Sequence, residues 1–206
     1  MSTLLVIAKA PLAGRVKTRL TTRFTPQQAA ELAHAALQDT LAAVLATAVR
    51  HRVLVLDGPP GPWIPDGIEV VPQGTGGLDA RLAAAFALAD GPTLLIGMDT
   101  PQVTPGLLAS GLDFAATDAW FGPADDGGFW ALGLADPDPA LLLGVPMSVA
   151  HTGEVQRRRL TDAGLAVRDL PELCDVDTPA DAERVAAAAP RTRFAALHSD
   201  LCAVTR

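Results

Sequence analysis

From Thr3 to Ala8 the chain reads TLLVIA, a run without charge and without apolar–polar alternation. A strand of that kind is buried on both faces, so it needs a covering layer on each side. Short runs of similar character recur as RVLVLD from Arg52 to Asp57, IEVVP from Ile68 to Pro72 and PTLLIGMD ending at Asp99. Between them lie stretches with helical spacing. Thr25, Pro26 and Gln28 have the form of an N-cap, a first-turn proline and a capping box, and Leu37, Leu41, Val44, Leu45 and Ala48 continue one apolar face. Leu78, Leu82, Ala85, Phe86 and Ala89 predict a second helix, and Thr104 with Pro105 predicts the cap of a short third one. AWFGPADDGGFWALGL then predicts two strands joined by a tight turn. A helix over about 153–163, a strand LAVRDL from Leu165 to Leu170 and a helix capped by Thr178 and Pro179 follow. The segment after Pro190 shows no clear period and is expected to lie over the surface.

Alternating strands and helices imply a single three-layer α/β/α domain over residues 1–206, with a mostly parallel sheet and right-handed crossovers. A chain of 206 residues with 49 % hydrophobic and 19 % charged residues can fill such a core. Its formal net charge of −7 disfavours general nucleic-acid binding, so a polyanionic ligand has to be small and met by local cations or a metal. Two cysteines without a C-x-x-C pair, Cys174 and Cys202, give no zinc framework and fit a reduced compartment. No apolar stretch nears the roughly 20 residues of a membrane span, and a signal-peptide core is not evident; a cytoplasmic protein with no membrane partner is expected.

Ligands of such sheets sit beyond the carboxyl ends of the strands. Three segments qualify: the loop APLAGRVKTRL after the first strand, Asp99, and the CDVDT loop before the last capped helix. The first is not a P-loop, because Val16 stands where glycine should precede Lys17. It still gathers Lys9, Arg15, Lys17 and Arg19 around Gly14, whose bare backbone can approach phosphate oxygens. A solvated basic turn is the plainer alternative, and Arg15 is the member that best fits it. Asp99 is either a turn residue or, since Thr104 already supplies a helix cap, a ligand for Mg²⁺ or Mn²⁺. Asp175 and Asp177 alternate in sequence, so an extended segment points only one of them into a site, and Asp177 is the expected one; its alternative role is to complement the following helix dipole. Asp126, Gly127 and Gly128 suit a hairpin turn, or a backbone bare enough for substrate to lie against.

Taken in order, AKAPLAGRVKTRL, LLIGMDTP, GPADDGGFWALGL, GVPMS and DVDTPAD resemble a bacterial family of glycosyltransferase-like proteins associated with radical-SAM proteins. That family is similar to nucleotide-diphospho-sugar transferases of the GT-A type and, more distantly, to molybdenum cofactor and 2-phospho-L-lactate guanylyltransferases. The resemblance implies that Gly14, Lys17 and Arg19 meet nucleotide phosphates and that Asp99 and Asp177 hold the metal. It also implies that Asp126, Gly127, Gly128 and Ser148 line the acceptor side. Departures are Met147 in place of an aromatic residue, GGLDARL over Gly76–Leu82 in the loop that borders base or sugar, and Phe129 in place of tyrosine.

The expected activity is metal-dependent nucleotidyl transfer from a nucleoside triphosphate to a small phosphorylated or carboxylated acceptor. A nucleotide-sugar glycosyltransferase and a catalytically silent nucleotide-binding or assembly module are the alternatives. The four histidines have no convincing catalytic setting, with His151 near Ser148 the one to watch. The apolar tail from Phe194 to Val204 is free to cover the chain's own core or to meet a second copy in a homodimer.

Overall fold

The computed structural model describes residues 2–204. Met1 and the last two residues of the expected tail lie outside the described residues. Seven strands form one sheet: β1 (Thr3–Lys9), β2 (His51–Asp57), β3 (Glu69–Pro72), β4 (Thr93–Ile96), β5 (Ala119–Pro123), β6 (Phe129–Leu134) and β7 (Val167–Asp169). Their order across the sheet is β3-β2-β1-β4-β6-β5-β7. All neighbours are parallel except β6, which runs antiparallel to both β4 and β5. The α/β class with a mostly parallel mixed sheet is therefore as expected.

Six α-helices accompany the sheet among the described residues: α1 (Pro26–Ala46), α2 (Leu78–Phe86), α3 (Pro105–Ser110), α4 (Thr152–Asp162), α5 (Pro179–Ala188) and α6 (Arg193–Val204). Their starts follow the capping chemistry in the sequence. The Thr25 hydroxyl accepts from the Gln28 amide while the Gln28 side chain accepts from the Thr25 amide, Thr104 accepts from Leu107, and Thr178 forms a capping box with Asp181. Helix α2 ends at Phe86, short of Ala89, whose N–H instead bonds back to Phe86.

Strands β1 and β4 are buried on both faces, as their uninterrupted sequences require. Leu4, Val6, Leu54, Leu94 and Ile96 pack against α1 and α3 on one side. Leu5, Val53, Val55, Leu95 and Leu132 join α2 and Leu160 of α4 on the other. A third cluster, away from the sheet, unites Leu20, Leu32, Val185 and Phe194.

That third cluster corrects the aperiodic surface drape expected of the tail and bears out the alternative that it covers the chain's own core. Residues after Pro190 form α6, and Phe194 is fully buried against the chain's own α1 and α5. The sequence hides this helix because its first turn is capped from afar. The Asp39 carboxylate, on α1, accepts hydrogen bonds from the Arg193 and Phe194 amides at 3.0 and 2.9 Å, and Thr192 accepts from the Ala195 amide. An anion at a helix N-terminus satisfies N–H groups and complements the helix dipole. Replacing Asp39 by alanine is expected to lower the unfolding free energy by about 1–2 kcal/mol, the range for losing an N-cap. Urea denaturation followed by circular dichroism measures it, and an unchanged midpoint would show that α6 does not need this cap.

Candidate active site

A cavity of about 770 Å³ opens along the carboxyl ends of β1 and β4. Its wall includes Lys9, Arg15, Lys17, Arg19, Asp99, Asp126, Gly128, Ser148 and Asp177, so residues from all the segments singled out in the sequence converge on it.

The loop after β1 shapes the first wall. The Arg15 amide bonds to the Leu12 carbonyl, closing a turn whose third residue, Gly14, has φ 77°, a conformation that glycine adopts without strain. Gly14 does not line the cavity; it bends the chain so that Arg15 and Lys17 do. Lys17 itself has φ 47° and starts a 3-10 helix, Thr18–Thr22, anchored by buried Leu20.

Asp99 does not end the strand as the sequence suggested. Strand β4 stops at Ile96, and Asp99 lies in the loop beyond it. Two hydrogen bonds tie this loop to the one carrying the other aspartates: the Val176 amide donates to the Asp99 carbonyl at 3.0 Å, and the Gln102 side chain donates to the Cys174 carbonyl. The chain bends at Val176. An extended backbone would have turned Asp175 away, but the bend brings it in, so ligand oxygens of Asp99, Asp175 and Asp177 all lie within 4.8 Å of one another. Asp175 is thus a site residue that alternation along a strand had excluded.

Lys17 resolves part of the repulsion among these acids. Its Nζ stands 2.5 Å from Asp99 Oδ2 and 2.8 Å from Asp177 Oδ1, with only 10 % of the side chain exposed. Burial disfavours the ammonium, yet the two carboxylates outweigh it and hold the Lys17 pKa above its ordinary value. Burial likewise pushes Asp177 upward, but Lys17 and Arg19, whose Nη1 lies 2.8 Å from Asp177 Oδ2, bring it below the usual carboxylate range. Asp175 has no such ion pair among the described residues. Burial first, then the charges of Asp99, Asp126 and Asp177, raise its pKa to about 7. Lys9 and Arg15 take part in none of the ion pairs among the described residues, which leaves their charges available to a ligand.

Three clustered carboxylates are hard oxygen donors of the kind that suit Mg²⁺ or Mn²⁺. The neighbouring Cys174 is neither in the cavity wall nor among the grouped ligand atoms, and burial and then Asp125 push its thiol up to about 12.

Across the cavity, the β5–β6 hairpin divides the roles of its residues. Asp126 Oδ1 accepts from the Gly128 amide at 2.7 Å, which makes the tight turn, and Asp126 and Gly128 face the cavity. Gly127 does not. Its φ is 86°, and a Cβ there would lie 1.9 Å from the Ala150 carbonyl oxygen, so its bareness serves packing against the chain entering α4. The Gly153 amide completes that contact with the Gly127 carbonyl at 2.8 Å. Ser148 lines the cavity with φ 60°, whereas His151 is exposed and is absent from the cavity wall.

The far end holds Gln73, which the sequence left unassigned, and Arg81 of the GGLDARL segment, which the sequence did not single out. Gln73 donates to the carbonyls of Ala8 and Val55 and accepts from Arg81 Nη1 at 3.0 Å, fixing the guanidinium beside the cavity.

Solved structures share this architecture. A Desulfovibrio desulfuricans G20 protein, provisionally assigned as a nucleotide-diphospho-sugar transferase, superposes with a TM-score of 0.87 at 26 % identity, covering 98 % of this chain and 95 % of that one. A Mycobacterium tuberculosis H37Rv protein solved in complex with manganese gives 0.57 at 22 % identity, covering 89 % and 97 %. The 2-C-methyl-D-erythritol 4-phosphate cytidylyltransferase of Thermus thermophilus gives 0.54 at 17 % identity, covering 98 % and 99 %. The fold is that of nucleotide-diphospho-sugar transferases. No curated protein matches the sequence significantly. A family model described as "Uncharacterized protein conserved in bacteria (DUF2064)" matches residues 28–149.

The two hairpin glycines are expected to respond differently to substitution. Gly127→Ala combines a left-handed backbone with a clash against main chain and should cost about 2–4 kcal/mol of stability. Gly128→Ala meets mainly the movable Asp126 side chain, 2.9 Å from the added Cβ, and should cost less. Equal losses in thermal or urea unfolding would remove the packing role assigned to Gly127.

Proposed function

We propose that this chain, which belongs to the bacterial DUF2064 family, is a metal-dependent transferase that uses a nucleotide donor, and that it transfers a nucleotidyl group from a nucleoside triphosphate to a small anionic acceptor. One observation carries the proposal: Asp99, Asp175 and Asp177 cluster within 4.8 Å at the same cavity wall as the unpaired cations Lys9 and Arg15. Acidic oxygens for a divalent ion next to free cations for phosphates are what a metal–triphosphate complex requires. The manganese complex of the mycobacterial protein and the cytidylyltransferase of similar fold agree with it.

In the proposed reaction an acceptor oxygen attacks the α-phosphorus, the bond from that phosphorus to the bridging oxygen breaks, and pyrophosphate leaves with the electron pair. Mg²⁺ or Mn²⁺ held by Asp99, Asp177 and Asp175 would neutralise charge on the phosphates. Lys9, Arg15 and Arg19, with Lys17, hold the phosphate chain and stabilise the charge that grows on the leaving group, since all four line the same cavity wall. Gly14 contributes through the turn that presents them. At the opposite wall, Asp126, Gly128 and the Ser148 hydroxyl orient the acceptor, and Gly127 keeps that wall in place. A phosphate or carboxylate acceptor is already ionised near neutral pH and needs no strong general base, which suits a cavity without a histidine in its wall. The two cysteines are free thiols, in keeping with the expected cytoplasmic setting.

Glycosyl transfer from a nucleotide sugar is the second reading, favoured by the assignment of the Desulfovibrio protein. The same cations and metal would then stabilise a departing nucleoside diphosphate.

A thermal-shift panel separates the two. Stabilisation by a nucleoside triphosphate with Mg²⁺ or Mn²⁺ is expected, with a rise that depends on the metal. Stabilisation by nucleotide sugars alone would favour glycosyl transfer, and no response to either class would leave a silent module. Asp99→Ala is expected to abolish the metal-dependent part of the shift while the protein stays folded; a shift of full size in that variant would remove Asp99 from the site.

A further inference from the structure

We infer that Lys17 is a built-in cation that occupies the metal position in the resting protein and hands it over when a divalent ion binds. The inference rests on the metal-site reading above and concerns what stands there before the ion arrives. The Lys17 ammonium touches Asp99 Oδ2 and Asp177 Oδ1 at 2.5 and 2.8 Å, and these belong to two of the three carboxylates able to hold a metal. A Mg²⁺ ion shared by those carboxylates needs oxygens at about 2.0–2.1 Å. An ammonium wedged between the same two side chains would face that ion at close range, and two cations so placed repel. One of them has to leave.

The backbone under Lys17 favours a side-chain exchange over a loop movement. Val16 and Leu20 on either side are buried in separate clusters, and the Leu20 amide bonds to the Lys17 carbonyl at 2.9 Å. Arg19 keeps its own contact with Asp177 Oδ2, so the acid remains oriented when Lys17 departs. Four methylene groups let the ammonium swing along a cavity wall that already carries Lys9 and Arg15, where phosphate oxygens would receive it. Lys17 therefore has two successive partners. In the resting protein it offsets the mutual repulsion of the aspartates, and in the loaded protein it meets the phosphate chain. The metal site is consequently weak while nucleotide is absent, because the ion must displace a paired cation from both carboxylates.

Two measurements test this on the full chain, with Mn²⁺ alone as the probe. Isothermal titration should give Lys17→Gln an affinity for Mn²⁺ at least tenfold tighter than the parent protein, with circular dichroism confirming that the variant is folded. Equal or weaker binding by the variant would overturn the exchange while leaving the metal site intact. Failure of both proteins to bind Mn²⁺ would overturn the metal reading along with it. The second measurement uses the unaltered protein: reductive methylation read by mass spectrometry should modify Lys17 slowly without metal and faster at saturating Mn²⁺. Protection that persists under saturation would also overturn the exchange.

Discussion

The close approach of three carboxylates at the end of β4 is the constraint around which the site is organised. Ligand oxygens of Asp99, Asp175 and Asp177 within 4.8 Å repel one another strongly in a half-buried setting. The structure answers with Lys17 between Asp99 and Asp177 and with Arg19 on the other oxygen of Asp177. Asp175, left without a cation of its own, shows the residue of that repulsion in a pKa raised to about 7 by burial and by its acidic neighbours. A cluster of this geometry could hold a divalent ion.

The fold keeps the tension in place by joining elements that are far apart in the chain. The loop after β4 and the loop before α5 are stitched by the Val176 amide and the Gln102 side chain. The loop after β1 is pinned by Val16 in the core on one side and by Leu20 under α1 and α5 on the other. Helix α6 closes over that second cluster, capped by Asp39. The helix that covers Leu20 thus supports the segment from which Lys17 and Arg19 project, which links the end of the chain to the geometry of the cavity. The opposite wall depends on bare backbone, since only glycine at position 127 lets the hairpin rest on the carbonyl of Ala150.

Much of this was legible in the sequence, and what was legible shares a property. The uninterrupted apolar strands, the Thr-Pro caps of α1, α3 and α5 and the turn at Asp126–Gly128 all arise from residues within a few positions of one another. The positions of Asp99, Asp177 and Lys17 around a single cavity followed from one topological rule, that loops at strand carboxyl ends share an edge, while Ser148 came from the family resemblance. The misses are of the other kind. Asp175 was set aside because alternation assumes an extended chain, and the bend at Val176 exists to reach the Asp99 carbonyl. Helix α6 was taken for an aperiodic tail because its cap comes from Asp39, more than a hundred positions earlier. Gly127 had two readings, a hairpin turn or bare backbone for a substrate, and its sequence neighbours gave no sign that the segment entering α4 fills the space beside it.

The sequence by itself determined the alternation of strands and helices, the layers that cover the sheet, and the edge on which charged loops gather, because burial patterns and capping act over a few residues. Only the tertiary structure decided which charges meet. Lys17 finds partners 82 and 160 positions away, and no local preference encodes such pairs. They depend on strand register, on two hydrogen bonds between loops and on the packing beneath them, and those terms exist only once the sheet has assembled.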